Sequence, residues 1–255
     1  MTFQKIAPER ISLSIRTQIE TLILRGILRP GERLPSEREL AAQMGVSRPS
    51  LREALAELET AGLIETRRGA GAYVAQVLGS AFAPPLVRLF SNHQEAMFDY
   101  LSFRRDLEGM AAERAARKAS DTDLMVISEI FRKMEAAHMG RATEREAWLD
   151  ADFHLAIIEA SHNVVMLHMM RSMFELLRDG VFYNRQTLFG MQTTRRELLE
   201  QHRAIHDALM DRDAAGARAA VEAHLGFVEA AMQEQMALDK HDEIAQLRYQ
   251  HELER

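Results

Sequence analysis

The chain has 255 residues, a formal net charge of −6 and no cysteine. This length suits one small and one medium-sized domain, and the lack of cysteine excludes disulfides and thiolate metal sites and fits a reducing cytoplasm. Because the sequence shows neither a signal peptide nor an apolar run long enough to cross a bilayer, we expect a cytoplasmic protein with no membrane partner.

The first three predicted helices lie between residues 10 and 62. The earliest has an apolar stripe at helical spacing, which consists of Ile15, Ile19, Leu22 and Ile23. A second helix begins after Ser36, because Ser36 and Glu39 have the spacing of a capping box, and Gly45 ends it. Ser47 caps a third helix, whose first turn tolerates Pro49.

The third predicted helix has an apolar face and a polar face. Its apolar residues recur at helical spacing and are Leu51, Ala54, Leu55 and Leu58. Arg48, Ser50 and Arg52 lie on the opposite face, and Gly62 ends the helix. We therefore expect this helix to pack on one side and to present arginines and a hydroxyl on the other.

Two short strands are predicted next, at residues 63–68 and 72–74, around a glycine-containing turn. Arg67 and Arg68 lie at the tip of this hairpin. Two helices joined by a short turn and followed by a small hairpin indicate a winged helix-turn-helix.

The polar face of the third helix favours DNA as a ligand. An α-helix fits the major groove, where arginine can donate two hydrogen bonds to guanine and hydroxyls reach phosphates or bases. Residues 1–78 carry 11 Lys and Arg against 9 Asp and Glu, so the net positive charge of this region is small. Affinity for DNA therefore has to come from arginines positioned to contact it and from two copies of the protein on each operator. The alternative, solvated arginines on an ordinary three-helix fold, explains the placement of arginine, hydroxyl and glycine less well.

Residues 30–41 (PGERLPSERELA) and 45–55 (GVSRPSLREAL) resemble the GntR family of bacterial transcription regulators. The resemblance is long and ungapped within each segment, and it implies double-stranded operator DNA as the partner. It also implies that the operator is contacted by Arg38, Ser47, Arg48, Ser50, Arg52, Arg68 and Gly69.

The rest of the chain shows helical patterns and no strand signals. Helices are predicted near residues 94–119, 121–139, 143–161, 164–188, 193–211 and 213–250. Short connections between them predict antiparallel neighbours and a helical bundle. We therefore expect a mainly α protein with a winged helix-turn-helix DNA-binding domain at 1–75, a linker at 76–90 and an all-α helical bundle at 91–255.

Three predicted helices of the bundle each place a histidine on an apolar face. The apolar neighbours at helical spacing are Ile157 and Ile158 for His154, Leu198, Ile205 and Leu209 for His202, and Val221, Leu225 and Val228 for His224. Asp150 lies four residues before His154 and shares its face. A borderline divalent cation such as zinc accepts one carboxylate and three imidazoles, with positions left open for an anion. Each histidine alone is more simply a core residue bonded to a backbone carbonyl, but three with an aspartate favour a metal site.

Other residues offer alternative metal sites. Asp152 and His206 lie near this set but around the helix from it, and we rank them second. Glu135 to His138 and Glu159 to His162 have the Glu-x-x-His spacing of di-iron bundles. Both of these histidines fall at predicted helix ends, where the helix dipole alone favours a histidine, so a di-iron site ranks well behind.

The bundle is similar to the FCD ligand-binding domain of the FadR branch of GntR regulators at Arg104, Leu107, Glu108, Asp150, His154, residues 160–163, His202 and His224. This resemblance implies a divalent metal, commonly zinc, bound by Asp150, His154, His202 and His224. It also implies an acidic effector held by Arg104, for which a salt bridge on the helix surface is the competing explanation.

A narrower similarity concerns the effector. Residues 85–89, 107–109 and 153–165 resemble the lactate-responsive and pyruvate-responsive repressors of the FadR branch, and the Asp150 and His154 pair favours the lactate type. A 2-hydroxy or 2-oxo monocarboxylate such as lactate or pyruvate suits the predicted site, because it can chelate a cation through two oxygens while an arginine pairs with its carboxylate.

Two classes of function follow. In the first, a homodimer represses transcription at a palindromic operator, and a small organic acid changes the spacing of the two DNA-reading domains. In the second, a metal-dependent enzyme that acts on a small carboxylate is fused to a DNA-binding domain. The sequence shows no separate general base or nucleophile near the predicted site, so we expect a regulator and not an enzyme.

Overall fold

A computed structural model of the chain describes residues 9–67, 69–75, 84–178 and 192–253. The chain divides into two compact units, Met1–Gly79 and Ser80–Arg255. Within the described ranges, no helix combines the length and the apolar character needed to cross a membrane.

The first unit contains three helices and a two-stranded sheet in its described residues. The helices are α1 (Glu9–Leu24), α2 (Glu37–Met44) and α3 (Arg48–Thr60). Strands β1 (Ile64–Arg67) and β2 (Gly71–Val74) pair antiparallel, with Ile64 opposite Val74. This is the predicted winged helix-turn-helix, in which β1 and β2 form the wing.

The caps of α2 and α3 confirm the predicted helix starts. The Ser36 hydroxyl accepts a hydrogen bond from the Glu39 backbone N–H, and the Glu39 carboxylate accepts one from the Ser36 N–H, as a capping box requires. Gly45 ends α2 with a φ of 64°, a left-handed conformation that glycine adopts at little steric cost. The Ser47 hydroxyl then caps α3 by accepting a hydrogen bond from the Ser50 N–H. The two helices are thus joined by a turn of only three residues.

The three helices and both strands of the first unit share one apolar core. Its buried members are Ile15, Ile19, Ile23, Leu34, Leu40, Ala41, Leu51, Ala54, Leu58, Ile64 and Val74. Of the predicted apolar face of α3, only Leu55 is partly rather than fully buried. The opposite face of α3 is therefore left to solvent.

The second unit is helical throughout its described residues. Its helices are α4 (Pro84–Asn92), α5 (Gln94–Lys118), α6 (Asp121–Met139), α7 (Thr143–Ala160), α8 (Val164–Arg178), α9 (Gln192–Met210) and α10 (Ala214–Leu253). Helix α5 packs along α10, α6 packs against α7, and α9 packs against both α10 and α6. The predicted helical bundle is confirmed.

Helix α4 is the main difference from the predicted elements. It occupies residues that we expected in a linker, because Pro84 and Pro85 stand in its first turn, where the missing N–H groups cost no helical hydrogen bond. The helix predicted at 164–188 is observed as α8 as far as Arg178, and residues 179–188 lie outside the described residues.

Helix α7 is buried on more than one side. Its buried residues point in several directions and are Glu146, Ala147, Leu149, Asp150, Phe153, His154, Ala156, Ile157, Ile158 and Ala160. An amphipathic surface helix would bury only one stripe. The polar members of this set are therefore carried into the interior by the packing of their apolar neighbours.

Helices α5 and α10 approach closely at Gly109. A methyl group at this position would lie 3.3 Å from Cγ of Glu222, which is tighter than ordinary van der Waals contact. Since Glu222 lies two residues before His224, this glycine helps to set the distance between α5 and the helix that carries His224.

Candidate functional site

The four predicted metal ligands meet in the interior of the second unit. Asp150 and His154 come from α7, His202 from α9 and His224 from α10, and one ligand atom from each lies within 4.8 Å of all the others. Nε2 of His202 is 3.0 Å from Oδ1 of Asp150 and 3.3 Å from Nε2 of His154. None of the four residues is more than 6% exposed.

Two of the histidines direct their other ring nitrogen to a neutral acceptor outside the cluster. Nδ1 of His202 lies 2.6 Å from the carbonyl oxygen of Leu198, and Nδ1 of His224 lies 3.0 Å from the side-chain oxygen of Gln201. An oxygen acceptor at Nδ1 selects the tautomer that is protonated there. Each ring then keeps a lone pair on Nε2, the nitrogen left for the common centre.

The third histidine contacts a buried carboxylate. Nδ1 of His154 lies 2.6 Å from Oε2 of Glu108, and Oε1 of Glu108 accepts a hydrogen bond of 2.7 Å from Nε of Arg104. Burial raises the pKa of Glu108, but the charge and hydrogen bond of Arg104, together with the contact of His154, outweigh burial and lower the pKa to about 2. Glu108 is therefore an ionised carboxylate in close contact with Nδ1 of His154.

Burial also favours the neutral form of His154 and of His224. It lowers the pKa of His154 against the opposing effect of Glu108 and Asp150. Burial, together with the adjacent His202 and His154, lowers the pKa of His224 well below its ordinary value. Metals bind the neutral imidazole, so these rings are in the form that donates to a cation.

The donor set fits a divalent cation. Nitrogen and oxygen ligands lie about 2.0–2.2 Å from zinc, so two ligands at a tetrahedral angle lie about 3.4 Å apart. The donor atoms of Asp150, His154 and His202 are separated by 3.0 to 3.8 Å. Since Nδ1 of His202 and Nδ1 of His224 each contact an acceptor, the Nε2 atoms of both rings can serve as ligands of a cation.

Arg104 lies beside this cluster. It is 1% exposed, and its guanidinium carbon is 5.2 Å from the ring centre of Phe174 and 5.8 Å from that of Tyr100. Its ion pair with Glu108 spans four residues of α5, but the pair is buried, so a salt bridge on the helix surface is the wrong description.

The polar face of α3 is exposed, as predicted. The side chains of Arg48 and Arg52 are 56% and 62% exposed, and both contact Oε2 of Glu37, at 3.4 Å and 2.7 Å. The hydroxyls of Ser47 and Ser50 lie 2.8 Å apart beside them. Ser47 has a structural role as the cap of α3 in addition to its predicted contact with DNA.

The remaining predicted DNA contacts lie on α2 and the wing. Arg38 is exposed on α2, and Gly69 is exposed at the wing tip with a φ of 74°. Arg67 stacks on Tyr73, with its guanidinium carbon 4.3 Å from the ring centre. Arg68, also predicted to contact DNA, lies outside the described residues.

Both units match known protein families. Residues 11–74 match the bacterial regulatory proteins of the gntR family, and residues 99–227 match the FCD domain. A protein of Escherichia coli K12 named as a regulatory protein of the L-lactate dehydrogenase operon is 37% identical over 231 residues, which cover 89% of this chain and 88% of that protein. The chain belongs to the GntR family.

Other GntR-family proteins agree with this assignment. The Glc operon transcriptional activator of Escherichia coli K12 is 35% identical over 218 residues, which cover 84% of this chain and 86% of that protein. The solved structure of a GntR protein from Streptococcus agalactiae shares the fold, with a TM-score of 0.51 and 24% identity over 86% of this chain and 99% of that one. The curated relatives are named as transcriptional regulators, so the chain is a transcriptional regulator of the GntR family and not an enzyme.

Residues of the two alternative metal sites have partners outside the cluster in this GntR protein. The hydrogen bonds and ion pairs join His206 to Ser128, Glu135 to Arg203, Glu159 to Arg171 and His162 to Asp123. In the described part of the chain, the cluster with metal-type donors contains none of these residues, nor Asp152 or His138. The di-iron alternative therefore has no geometric support among these residues.

Sequence reasoning assigned no role to Glu108 and Gln201, the outer partners of His154 and His224. The spacing of Arg104 and Glu108 on one helix was an available signal for Glu108, because charges four residues apart on an otherwise apolar face need partners. Gln201 gives no such signal, since its partner lies on another helix.

Proposed function

We propose that this GntR-family regulator is a repressor controlled by a small organic acid, a 2-hydroxy or 2-oxo monocarboxylate such as lactate or pyruvate. The acid binds at a metal site in the FCD domain, and its binding releases the winged helix-turn-helix from operator DNA. The observation that carries this proposal is the convergence of Asp150, His154, His202 and His224 in a buried cluster.

The metal assigned to this cluster is a divalent cation, with zinc as the first choice. Imidazole nitrogen and carboxylate oxygen are ligands that zinc accepts, and the acceptors at Nδ1 of His202 and His224 hold these rings with Nε2 toward the cluster. When bound, the cation supplies an electrophilic centre for the carboxylate of the acid and for its adjacent hydroxyl or oxo oxygen.

Arg104 is assigned to the carboxylate of the acid. It is a buried cation, and a charge-assisted hydrogen bond is strong where water is excluded. The aromatic rings of Tyr100 and Phe174 next to it exclude water further. Lactate is the first acid to test, because a relative is named for the L-lactate dehydrogenase operon.

DNA binding is assigned to α2, α3 and the wing of a homodimer in a cytoplasmic setting. The operator contacts are Arg38, Ser47, Arg48, Ser50, Arg52, Arg68 and Gly69. A palindromic operator needs two matched DNA-reading domains. Two copies also supply an affinity for DNA that the small net positive charge of a single DNA-binding domain cannot supply. Release by the acid requires that the acid bind the DNA-free form more tightly than the DNA-bound form.

A gel-shift assay tests the proposal. The full chain is loaded with zinc and bound to an operator fragment selected from random duplex DNA, and lactate, pyruvate and glycolate are then titrated. We expect at least one of these acids to release the DNA, and only when zinc is present. The same acids are assayed for turnover as a control.

The variant Arg104→Lys refines this assay. Lysine keeps a positive charge beside Glu108 but loses the planar fork that pairs with a carboxylate, so the acid should release DNA only at higher concentration. Failure of all three acids to release DNA would disprove this effector class. An unchanged titration for Arg104→Lys would remove Arg104 from the acid site.

A further inference from the structure

The two oxygens of Glu108 contact the two functional parts of the proposed site. Oε1 accepts the Nε hydrogen of Arg104 at 2.7 Å, and Oε2 lies 2.6 Å from Nδ1 of His154. Glu108 is 2% exposed, so water does not compete for either oxygen. One carboxylate therefore serves both the arginine assigned to the acid and a histidine assigned to the metal.

Glu108 differs from the other outer partners of the cluster in its charge. His202 and His224 direct Nδ1 to neutral acceptors, a backbone carbonyl and a side-chain amide. A carboxylate next to one ring nitrogen of a histidine raises the basicity of the opposite ring nitrogen more than a neutral oxygen does. His154 is thus the histidine whose Nε2 gains most from its outer partner.

The backbone around Glu108 holds the carboxylate in place. Arg104 and Glu108 lie one turn apart on α5. The next residue, Gly109, allows α5 to pack closely on α10, where a methyl group would meet Glu222 at 3.3 Å. Because α10 also carries His224, the position of Glu108 is fixed relative to a second ligand of the cluster.

We propose that Glu108 is a positioning residue that holds His154 in the Nδ1-protonated form for the metal and orients Arg104 for the acid. This inference rests on the proposed function. It identifies Glu108 as the group that couples binding of the metal to binding of the acid. Since both partners share one carboxylate, a change at Glu108 affects the two binding events together.

The variant Glu108→Gln tests this inference with zinc alone as the first probe. Glutamine has about the same size, but it replaces one of the two carboxylate oxygens with an NH2 donor, so it cannot present an oxygen at both of the positions that face Arg104 and His154. Zinc affinity of the full chain, measured by competition with a chelator, should fall about 10–100-fold, as is typical when the outer partner of a ligand is removed. At saturating zinc, lactate should also raise the melting temperature of the variant less than that of the wild type.

Glu113→Gln is the matched control. Glu113 lies on the same helix and pairs with Arg117 and Arg218 at the surface, away from the cluster. The zinc affinity of Glu113→Gln should equal that of the wild type. A general effect of losing a carboxylate on α5 would lower the zinc affinity of both variants and would contradict a specific role for Glu108.

A second measurement does not depend on the folding of the variant. Long-range nitrogen–proton NMR of the wild-type chain, with and without zinc, should show His154 protonated at Nδ1 in both states. An unprotonated Nδ1 in His154, or equal zinc affinity in folded Glu108→Gln and wild type, overturns the inference. If wild type itself binds no zinc, the proposed function fails separately, and the spectrum of the zinc-free chain still tests the assignment at His154.

Discussion

At the scale of single residues, the cluster distinguishes between two histidines on α9. His202 is fully buried, with Nε2 3.0 Å from Oδ1 of Asp150, whereas His206 lies one turn later, contacts Ser128 and stacks on Phe131. His202→Ala should therefore lower the zinc content and weaken the acid response, and His206→Ala should change neither. Elemental analysis of the purified variants checks the zinc content. Full occupancy in His202→Ala would show that this residue is not a ligand.

Arg48 provides the corresponding test on the DNA side. Its side chain is 56% exposed and its contact with Glu37 is a surface ion pair, so Arg48→Ala should leave the fold and its melting temperature nearly unchanged. Loss of a bidentate contact with a base costs about 1–3 kcal/mol, and the proposed dimer loses two such contacts, so specific operator binding should fall at least about 30-fold.

Arg25→Ala is the matched control for Arg48→Ala, because Arg25 is an exposed arginine of the same unit just after α1. Fluorescence anisotropy with operator and with random duplex measures both affinity and sequence preference. A normal preference in Arg48→Ala would exclude Arg48 from base recognition.

At the scale of elements, the turn between α2 and α3 depends on backbone conformation alone. Gly45 has a φ of 64°, and an added methyl group would meet nothing within 4 Å, so Gly45→Ala introduces strain without a clash. A left-handed conformation costs a residue with a side chain about 1–2 kcal/mol, and asparagine tolerates it better than alanine. Amide hydrogen exchange in α2 and α3 should therefore speed up in Gly45→Ala, and less in Gly45→Asn. Equal exchange in both variants would mean that the strain is relieved elsewhere.

The elements were predictable where local chemistry alone specifies them. Ser36 with Glu39 and Ser47 with Ser50 cap helices through bonds within one turn, so their spacing in the sequence is enough to place α2 and α3. Helix α4 was missed because adjacent prolines are compatible with both a linker and the first turn of a helix. The packing of α4 against α5 distinguishes the two, and the composition of residues 84–92 does not reveal that packing.

In the candidate site, too, a local sequence pattern predicts some features, and the packing of helices determines the others. Each of His154, His202 and His224 interrupts an apolar stripe, so helical periodicity was sufficient to predict that all three face the interior and to group them with Asp150. The contact of Glu108 with His154 spans α5 and α7 and depends on how these helices pack, which periodicity does not determine.

At the scale of the whole molecule, the net charge bears on the proposal that two copies bind the operator together. The chain carries a net charge of −6, and residues 1–78 hold only 11 Lys and Arg against 9 Asp and Glu. Non-specific attraction to phosphates is therefore weak, and under the proposed function binding depends on the exposed arginines of α3 and on two reading domains engaged together. Such binding is sensitive to the distance between half-sites.

Operators with altered spacing test this dependence on two copies. Inserting about five base pairs between the half-sites places them on opposite faces of the duplex, whereas about ten base pairs add one full turn. We expect the first insertion to reduce affinity to that of a single half-site and the second to recover part of the loss, because only the second presents both half-sites to one face of a dimer. Anisotropy titrations at fixed salt measure each affinity, since salt changes phosphate contacts independently of spacing. Equal affinity for all three operators would mean that each copy reads its half-site alone, and acid control through the spacing of two domains would then be untenable.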